Sequence, residues 1–220
     1  MALDEPNGMT LRERKRRAAR DALSGAAIRL AIERGLENVR VEDIAAEVGV
    51  STRTFNNYFS SKEEAICAIT VRRNARIGEL LVNRPASEPI WEAVTNAVVE
   101  HFSGLGDPDR EFIARFRLMA GNSSLRGEFL RAHGEVERVI AAAIAERTGL
   151  EAEELGPRLL AGTVASTMRI AMHHWLNSDA VVSLTELLRT ALTEMSTGIP
   201  SLTAKSRNND ANHHEDREIK

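Results

Sequence analysis

Three observations predict an all-α fold. Apolar residues recur at helical spacing through most of the chain, with no sustained alternation of the kind a half-buried strand needs. Gly35, Pro85, Gly104, Gly149 and Gly198 stand where such runs stop, as helix punctuation does. Aromatic residues make up only 4% of a chain that is 43% hydrophobic, so its apolar content is carried by aliphatic residues such as Ala and Leu, which suit helices.

The elements follow in order. Residues 1–9 are expected to form a flexible lead. A long amphipathic helix then carries Leu23, Ala27 and Leu30 on one face and stops at Gly35, a residue suited to the position after a helix. Two short helices, at about residues 41–48 and 52–59, come next. Ser61 and Glu64, spaced as a capping box, open a longer helix that runs towards Pro85 with Ile66, Ile69, Ile77, Leu80 and Leu81. Trp91, Val94, Val98 and Phe102 mark a further apolar stripe, broken by Gly104 and Gly106. Asp107-Pro108 reads as an N-cap with a first-turn proline for the helix bearing Phe112, Phe116 and Met119. Helices at about 124–148 and 153–177 follow, and Ser183 with Glu186 reads as a second capping box for a last helix reaching about residue 197. The polar residues 201–220 are expected to be disordered.

Charge is unevenly placed. Residues 10–62 hold eleven Lys/Arg against seven acids, a local charge of +4 in a chain of net charge -3. A basic head on an acidic body suits a polyanion at one end, although Arg12 to Arg20 also fit a merely solvated helix start. Cys67 is the lone cysteine, which excludes an intrachain disulfide and fits a reducing cytoplasm; it reads as a quiet helix residue. No run of about 18 apolar residues is present to span a membrane.

The segment from Val41 to Phe59 has the demands of a helix-turn-helix met in turn. Ala45 is small where two helices must cross, and Gly49, four residues on, can take the positive φ of the turn. Ile44, Val48, Val50, Phe55 and Tyr58 fall at inward positions, and Ser51 is placed to cap the second helix. The runs Val41-Glu42-Asp43-Ile44-Ala45, Gly49-Val50-Ser51 and Tyr58-Phe59-Ser60-Ser61-Lys62-Glu63, with Gly35 before them, resemble the signature of TetR-family regulators over about residues 18–69. Arg53-Thr54-Phe55 departs from the Gly-Thr that many members carry there.

That resemblance implies an N-terminal three-helix helix-turn-helix DNA-binding domain at residues 10–61 and a helical bundle at 62–200 for ligand binding and dimerisation. It implies that Thr52, Arg53, Asn56 and Asn57 face the major groove, where Arg reads guanine and Asn reads adenine through paired hydrogen bonds. Thr54, Tyr58, Lys62 and Arg40 would hold phosphates; Tyr58 is equally readable as a core residue with a wet hydroxyl. A homodimer on a double-stranded, pseudo-palindromic operator is implied, its last two helices packing against their mates. Ala161, Gly162, Ala165, Leu184, Leu187, Leu188 and Leu192 suit that contact, and suit internal packing as well.

The pocket for an apolar effector would draw on Trp91, Phe102, Phe112, Phe116, Met119, Phe129, Met168, Met172 and Trp175, each of which also fits a core position. The run from Phe112 to Met119, with Leu125-Arg126 and residues 147–160, resembles the C-terminal domain of acyl-CoA-responsive, mycofactocin-regulator-like members. It implies a long acyl chain among these residues, with Arg115, Arg117 or Arg126 near phosphates or simply solvated.

An enzyme is the rival class. His173-His174, His101 and His133 invite a metal or acid-base reading, but adjacent helical residues point about 100° apart and no HExxH, cysteine cluster or phosphate-binding glycine loop is present. No cofactor or metal is therefore expected. A constitutive DNA binder without a ligand would have the same head.

Overall fold

The computed structural model describes residues 10–106, 108–178 and 182–198, and the regular elements among them are all helical. They are α1 (Leu11–Arg34), α2 (Val41–Val48), α3 (Thr52–Asn56), α4 (Lys62–Val82), α5 (Ile90–Gly104), α6 (Arg110–Gly121), α7 (Arg126–Thr148), α8 (Leu155–Asn177) and α9 (Leu184–Ser196), with 3-10 turns at Leu36–Asn38 and Ser123–Leu125. The expected lead, tail and Asp107 lie outside the described residues. Contacts divide the chain into two units, one of residues up to 74 with 109–135, the other of 75–108 with residues from 136 onward.

The first unit is organised by α1. Leu23, Ala26, Ala27, Ile28, Leu30 and Ala31 are buried along it, and Ile44, Phe55, Phe59, Ala65 and Ile66 complete the cluster. The Ser24 hydroxyl donates to the Ala65 carbonyl at 2.6 Å, a buried tie between α1 and α4. Thr10 and Glu13 cap α1 reciprocally: the Glu13 N–H donates to the Thr10 hydroxyl and the Glu13 carboxylate accepts the Thr10 N–H. The Thr10 N–H, and after it the Thr10 hydroxyl, which also donates to this carboxylate at 2.8 Å, hold the Glu13 carboxyl below its ordinary value.

Three expected helix starts differ. Ser61 does accept the Glu64 N–H at 3.0 Å, but the Glu64 carboxylate reaches past it to the N–H and hydroxyl of Ser60. Ser183 makes no capping bond; its hydroxyl pairs instead with that of Thr185. Asp109, not Asp107, caps α6, its carboxylate accepting the Phe112 N–H at 2.7 Å. Each shift moves a cap by a residue or two or trades it for a neighbouring hydroxyl, choices that spacing alone leaves open.

In the second unit α8 and α9 pack together and α5 packs on α9. Ala161, Ala165, Leu184, Leu188 and Leu192 are 0–4% exposed within the single chain, so they fill its own core rather than a subunit contact. α4 and α7 approach closely at Gly78, where a Cβ would lie 3.0 Å from the Val139 side chain and push it aside. The Arg147 guanidinium donates to the carbonyls of Leu81, Arg84, Pro85 and Glu88, closing the turn between α4 and α5. Glu88 in turn accepts from Arg84 and, at 2.7 Å, from Asn96, whose own carbonyl accepts from Arg189 of α9.

The hydrogen bond from Arg84, followed by the smaller pulls of Asn96 and Arg147, holds the Glu88 carboxyl below its ordinary value of 4.5. A carboxyl lowered on folding stabilises the fold at pH values above its unfolded pKa, and that contribution disappears as pH falls through the folded value. Glu88→Gln is accordingly expected to lower Tm at pH values above 4.5 and to flatten the further fall below that, as thermal melts across pH will record.

Candidate nucleic-acid interface

The α2–α3 pair is built by its turn. Gly49 has φ +74° and ψ +31°, the left-handed conformation that ends α2. The Val50 N–H donates to the Ala45 carbonyl at 2.9 Å and the Gly49 N–H to Ala46 at 3.0 Å, so two carbonyls left over by α2 are satisfied. Ser51 then starts α3, its hydroxyl accepting the Thr54 N–H at 3.1 Å.

The depth of α3 is set by two rings. Phe55 and Phe59 are fully buried, with centroids 5.6 Å apart, and the Arg20 guanidinium lies 4.9 Å over Phe59. Removing such a ring costs about 3–5 kcal/mol. The exposed Arg29–Glu47 pair, at 3.1 Å between α1 and α2, belongs to a class worth about 0.2–1 kcal/mol. Aromatic packing therefore decides where α3 sits.

With Phe55 pointing inward, Arg53, Asn56 and Asn57 are exposed, and no described residue hydrogen-bonds to their side chains. Thr52, Thr54 and Tyr58 are half-buried; Thr54 shares a hydroxyl contact of 2.9 Å with Ser51. Arg40 is exposed ahead of α2, its backbone N–H taken by Asp43. Lys62 is committed differently: its ammonium donates to the carbonyls of Leu36 and Val39 at 2.8 and 2.9 Å, fastening the turn between α1 and α2. One of its three donors remains for an outside acceptor.

Sequence spacing did not anticipate how α1 meets α3. An open cleft of about 410 Å³ is lined by Arg12, Glu13, Arg16, Thr54, Asn57 and Tyr58. A second, of about 270 Å³, is lined by Glu13, Arg16, Arg17, Arg20 and Tyr58. Tyr58 thus stands beside a row of arginines some forty positions earlier in the chain, a juxtaposition that arises from tertiary packing.

The nine residues expected around a ligand fall in two groups. Phe112, Phe116, Met119 and Phe129 belong to the first unit, where the Phe112 and Phe116 rings stack at 6.5 Å and Met119 sulfur accepts from the Thr70 hydroxyl. Trp91, Phe102, Met168, Met172 and Trp175 belong to the second, where the two indole N–H groups donate to the carbonyls of Leu192 and Val182. Arg117 and Arg126 are exposed, whereas Arg115 is 7% exposed.

Among the histidines, His173 contacts Asn177 at the surface, His101 meets Phe102 edge-on and His133 stacks on Phe129. Among the described residues no three His, Cys, Asp or Glu gather as a metal site. His213-His214 lie outside the described residues.

A family model described as "Bacterial regulatory proteins, tetR family" matches residues 24–66, and one described as "MftR C-terminal domain" matches residues 88–200. The chain belongs to the TetR family.

Among the relatives of this TetR-family chain, TcmR of Streptomyces glaucescens, an HTH-type transcriptional regulator, is 34% identical over 178 residues, 77% of this chain and 78% of TcmR. MftR of Mycobacterium tuberculosis, named for the transcriptional regulation of mycofactocin biosynthesis, is 26% identical over 86% of this chain and 95% of its own. A TetR-family regulator from Syntrophomonas wolfei shares the fold with a TM-score of 0.60 at 18% identity, covering 84% of this chain and 96% of that one. FadR of Bacillus subtilis, solved with stearoyl-CoA, has a TM-score of 0.55 at 19% identity, covering 81% and 98%. This TetR-family protein is thus a transcriptional regulator rather than an enzyme, and among its described residues no helix is long and apolar enough to cross a membrane.

A Cβ at Gly49 would touch nothing within 4 Å, so Gly49→Ala is expected to cost only the strain of its positive φ, about 1–2 kcal/mol in chemical denaturation. Gly49→Asn should recover part of that loss. Burial first, then Glu128 and Glu63, push the Cys67 thiol up to about 12; iodoacetamide should leave the native protein unmodified at pH 8 and label it on unfolding.

Proposed function

We propose that the protein is a ligand-released repressor that binds a pseudo-palindromic operator as a homodimer in the cytoplasm. The observation that carries the reading is the combination on α3 of a rigid seat and unclaimed polar side chains. Arg53, Asn56 and Asn57 are exposed with their hydrogen-bonding groups uncommitted to any described residue, on a helix fixed by Ser51, Phe55 and Phe59. With Thr52 they form the base-reading set, while Arg40, Thr54, Tyr58 and the remaining donor of Lys62 hold phosphates. The arginines of α1 that line the clefts with Tyr58 add sequence-independent, salt-sensitive affinity.

A subunit contact is supported by α8. Leu155, Leu159 and Ile170 are 79%, 64% and 59% exposed, and large apolar side chains in one helical row favour a partner surface. The effector is an apolar small molecule, with a long-chain acyl-CoA first in order. The match to the MftR C-terminal domain supports this, as do the stearoyl-CoA in the FadR structure and the triclosan in that of SmeT, a multidrug-efflux repressor. Repression then ends by population shift. DNA selects one spacing of the two reading heads, and an effector that fits the other better lowers operator affinity by its differential binding energy.

Fluorescence anisotropy on DNA upstream of the protein's own gene, against scrambled DNA at near-physiological salt, tests this. Specific binding relieved by lauroyl-CoA is the expected result. Specific binding unaffected by any apolar ligand would make it a constitutive binder instead. Arg53→Ala should lose about 1–3 kcal/mol on the specific fragment and little on scrambled DNA; equal losses on both would reduce Arg53 to a phosphate contact.

A further inference from the structure

The first unit holds a further cleft, of about 310 Å³, lined by none of the residues expected to read DNA or to surround an apolar effector. It opens between α1, α4 and α7, and two of its walls are matching helix faces. On α4, Glu64, Ala68 and Val71 recur at four- and three-residue spacing; on α7, Glu128, Ala132 and Glu135 do the same, so each set shares one face. Alanine at the middle of both rows leaves space that longer side chains would fill, and the Cys67 thiol, 2% exposed, completes an apolar floor. Arg20 of α1 and Arg131 of α7 stand on the rim with the three carboxylates, which leaves the cleft one net negative charge.

The rim charges are unequally committed. The Arg20 guanidinium lies over Phe59, and the Glu64 carboxylate accepts from the Ser60 N–H and hydroxyl at 2.8 and 2.7 Å. Glu128 is held loosely. Its side chain is only 20% exposed, yet its ion pair with Arg131 is 3.5 Å long and that arginine is 69% exposed. Burial first and the Glu128 charge second push the Cys67 thiol up, so this carboxylate acts on the cleft floor. A carboxylate drawn partly out of water beside apolar groups is stabilised by a close cation. The cleft is near the lower size limit of small-molecule pockets, and an anion would meet net repulsion there. A bare metal ion is the wrong occupant as well, since no three His, Cys, Asp or Glu gather for one among the described residues.

We propose that this cleft binds a small organic cation, a primary ammonium on a compact apolar body, with its nitrogen at Glu128 and its carbon atoms over Ala68, Val71 and Ala132. Such an occupant acts on the seat of α3. Arg20 and Glu64, which share the cleft, steady Phe59 and Ser60 just beyond that helix. A cation among them repels the Arg20 guanidinium and competes with Ser60 for the Glu64 carboxylate, so occupancy lowers operator affinity. That consequence rests on α3 being the DNA-reading helix; the site itself does not.

The test uses the full chain labelled with carbon-13 at cysteine, whose one cysteine gives a single magnetic-resonance signal from the cleft floor. Cyclohexylamine, cyclohexanol and cyclohexanecarboxylate are titrated in turn. The amine should move that signal saturably and bind about tenfold or more tightly than the alcohol, as a charged hydrogen bond warrants, while the carboxylate leaves the signal in place. Glu128→Gln should remove the advantage of the amine. Arg131→Gln, at an exposed position, should tighten amine binding by freeing Glu128, and Ala132→Leu should block it by filling the cleft. If Ala132→Leu does not fold, as circular dichroism will reveal, the two rim variants decide. Alcohol and amine binding alike, amine binding unchanged in Glu128→Gln, or no saturable shift with any probe would overturn the site. Fluorescence anisotropy then reads the coupling: the amine should weaken specific DNA binding in the wild type and not in Glu128→Gln, which controls for screening of the DNA by the amine. Equal weakening in both would overturn the coupling. A wild-type protein with no preference for specific DNA would sink the reading of α3, and the cysteine signal would still decide the site.

Discussion

The reading head depends on the close packing of α1 against the elements that follow it. Ala26, Ala27 and Ala31 are almost fully buried along that helix, and Ser24 reaches the Ala65 carbonyl at 2.6 Å. Small side chains let helices approach closely, and larger ones would force shifts costing about 1–3 kcal/mol in a packed core. The consequence reaches the surface. Once α1 and the core behind it are in place, Phe55 and Phe59 have a fixed seat, and Arg53, Asn56 and Asn57 point outward. Specific base contacts need such positioning, since paired hydrogen bonds from Arg or Asn tolerate little angular error.

Two long cationic side chains do particular jobs in the polar framework of the two units. Lys62 fastens the turn between α1 and α2 by its two carbonyl contacts, an ammonium serving backbone geometry within a unit whose exposed start is rich in arginine. Arg147 performs the corresponding task in the second unit, gathering four carbonyls from the turn between α4 and α5. In both places a long cationic side chain satisfies main-chain oxygens that a short connection leaves without helical partners.

Much of the interface was legible from residue type and spacing. Gly49 at +74°, Ser51 as a cap and Ile44, Ala45 and Phe55 in the core all follow from local rules: a positive φ favours glycine, a helix start needs an acceptor, and a 3.6-residue period sets the inward face. Other features were not legible. Ser61 and Ser183 had the capping spacing, but only Ser61 makes its half of the box: the Glu64 carboxylate goes to Ser60, and the Ser183 hydroxyl pairs with that of Thr185. Lys62 was expected to face a phosphate, and its carbonyl partners lie more than twenty positions away. Phe112 and Trp91, expected around one ligand, belong to different units.

The sequence by itself determined the helical class, the order and approximate length of the helices, the helix-turn-helix and the family. These rest on periodicity and on the conformational preferences of single residues, which act within a few positions of the chain. The tertiary structure alone decided which cations are exposed and which are enclosed. It placed Tyr58 beside the arginines of α1 and committed Lys62 to the backbone. Burial and charge pairing depend on residues far apart in the chain, and no local pattern records which of them will meet.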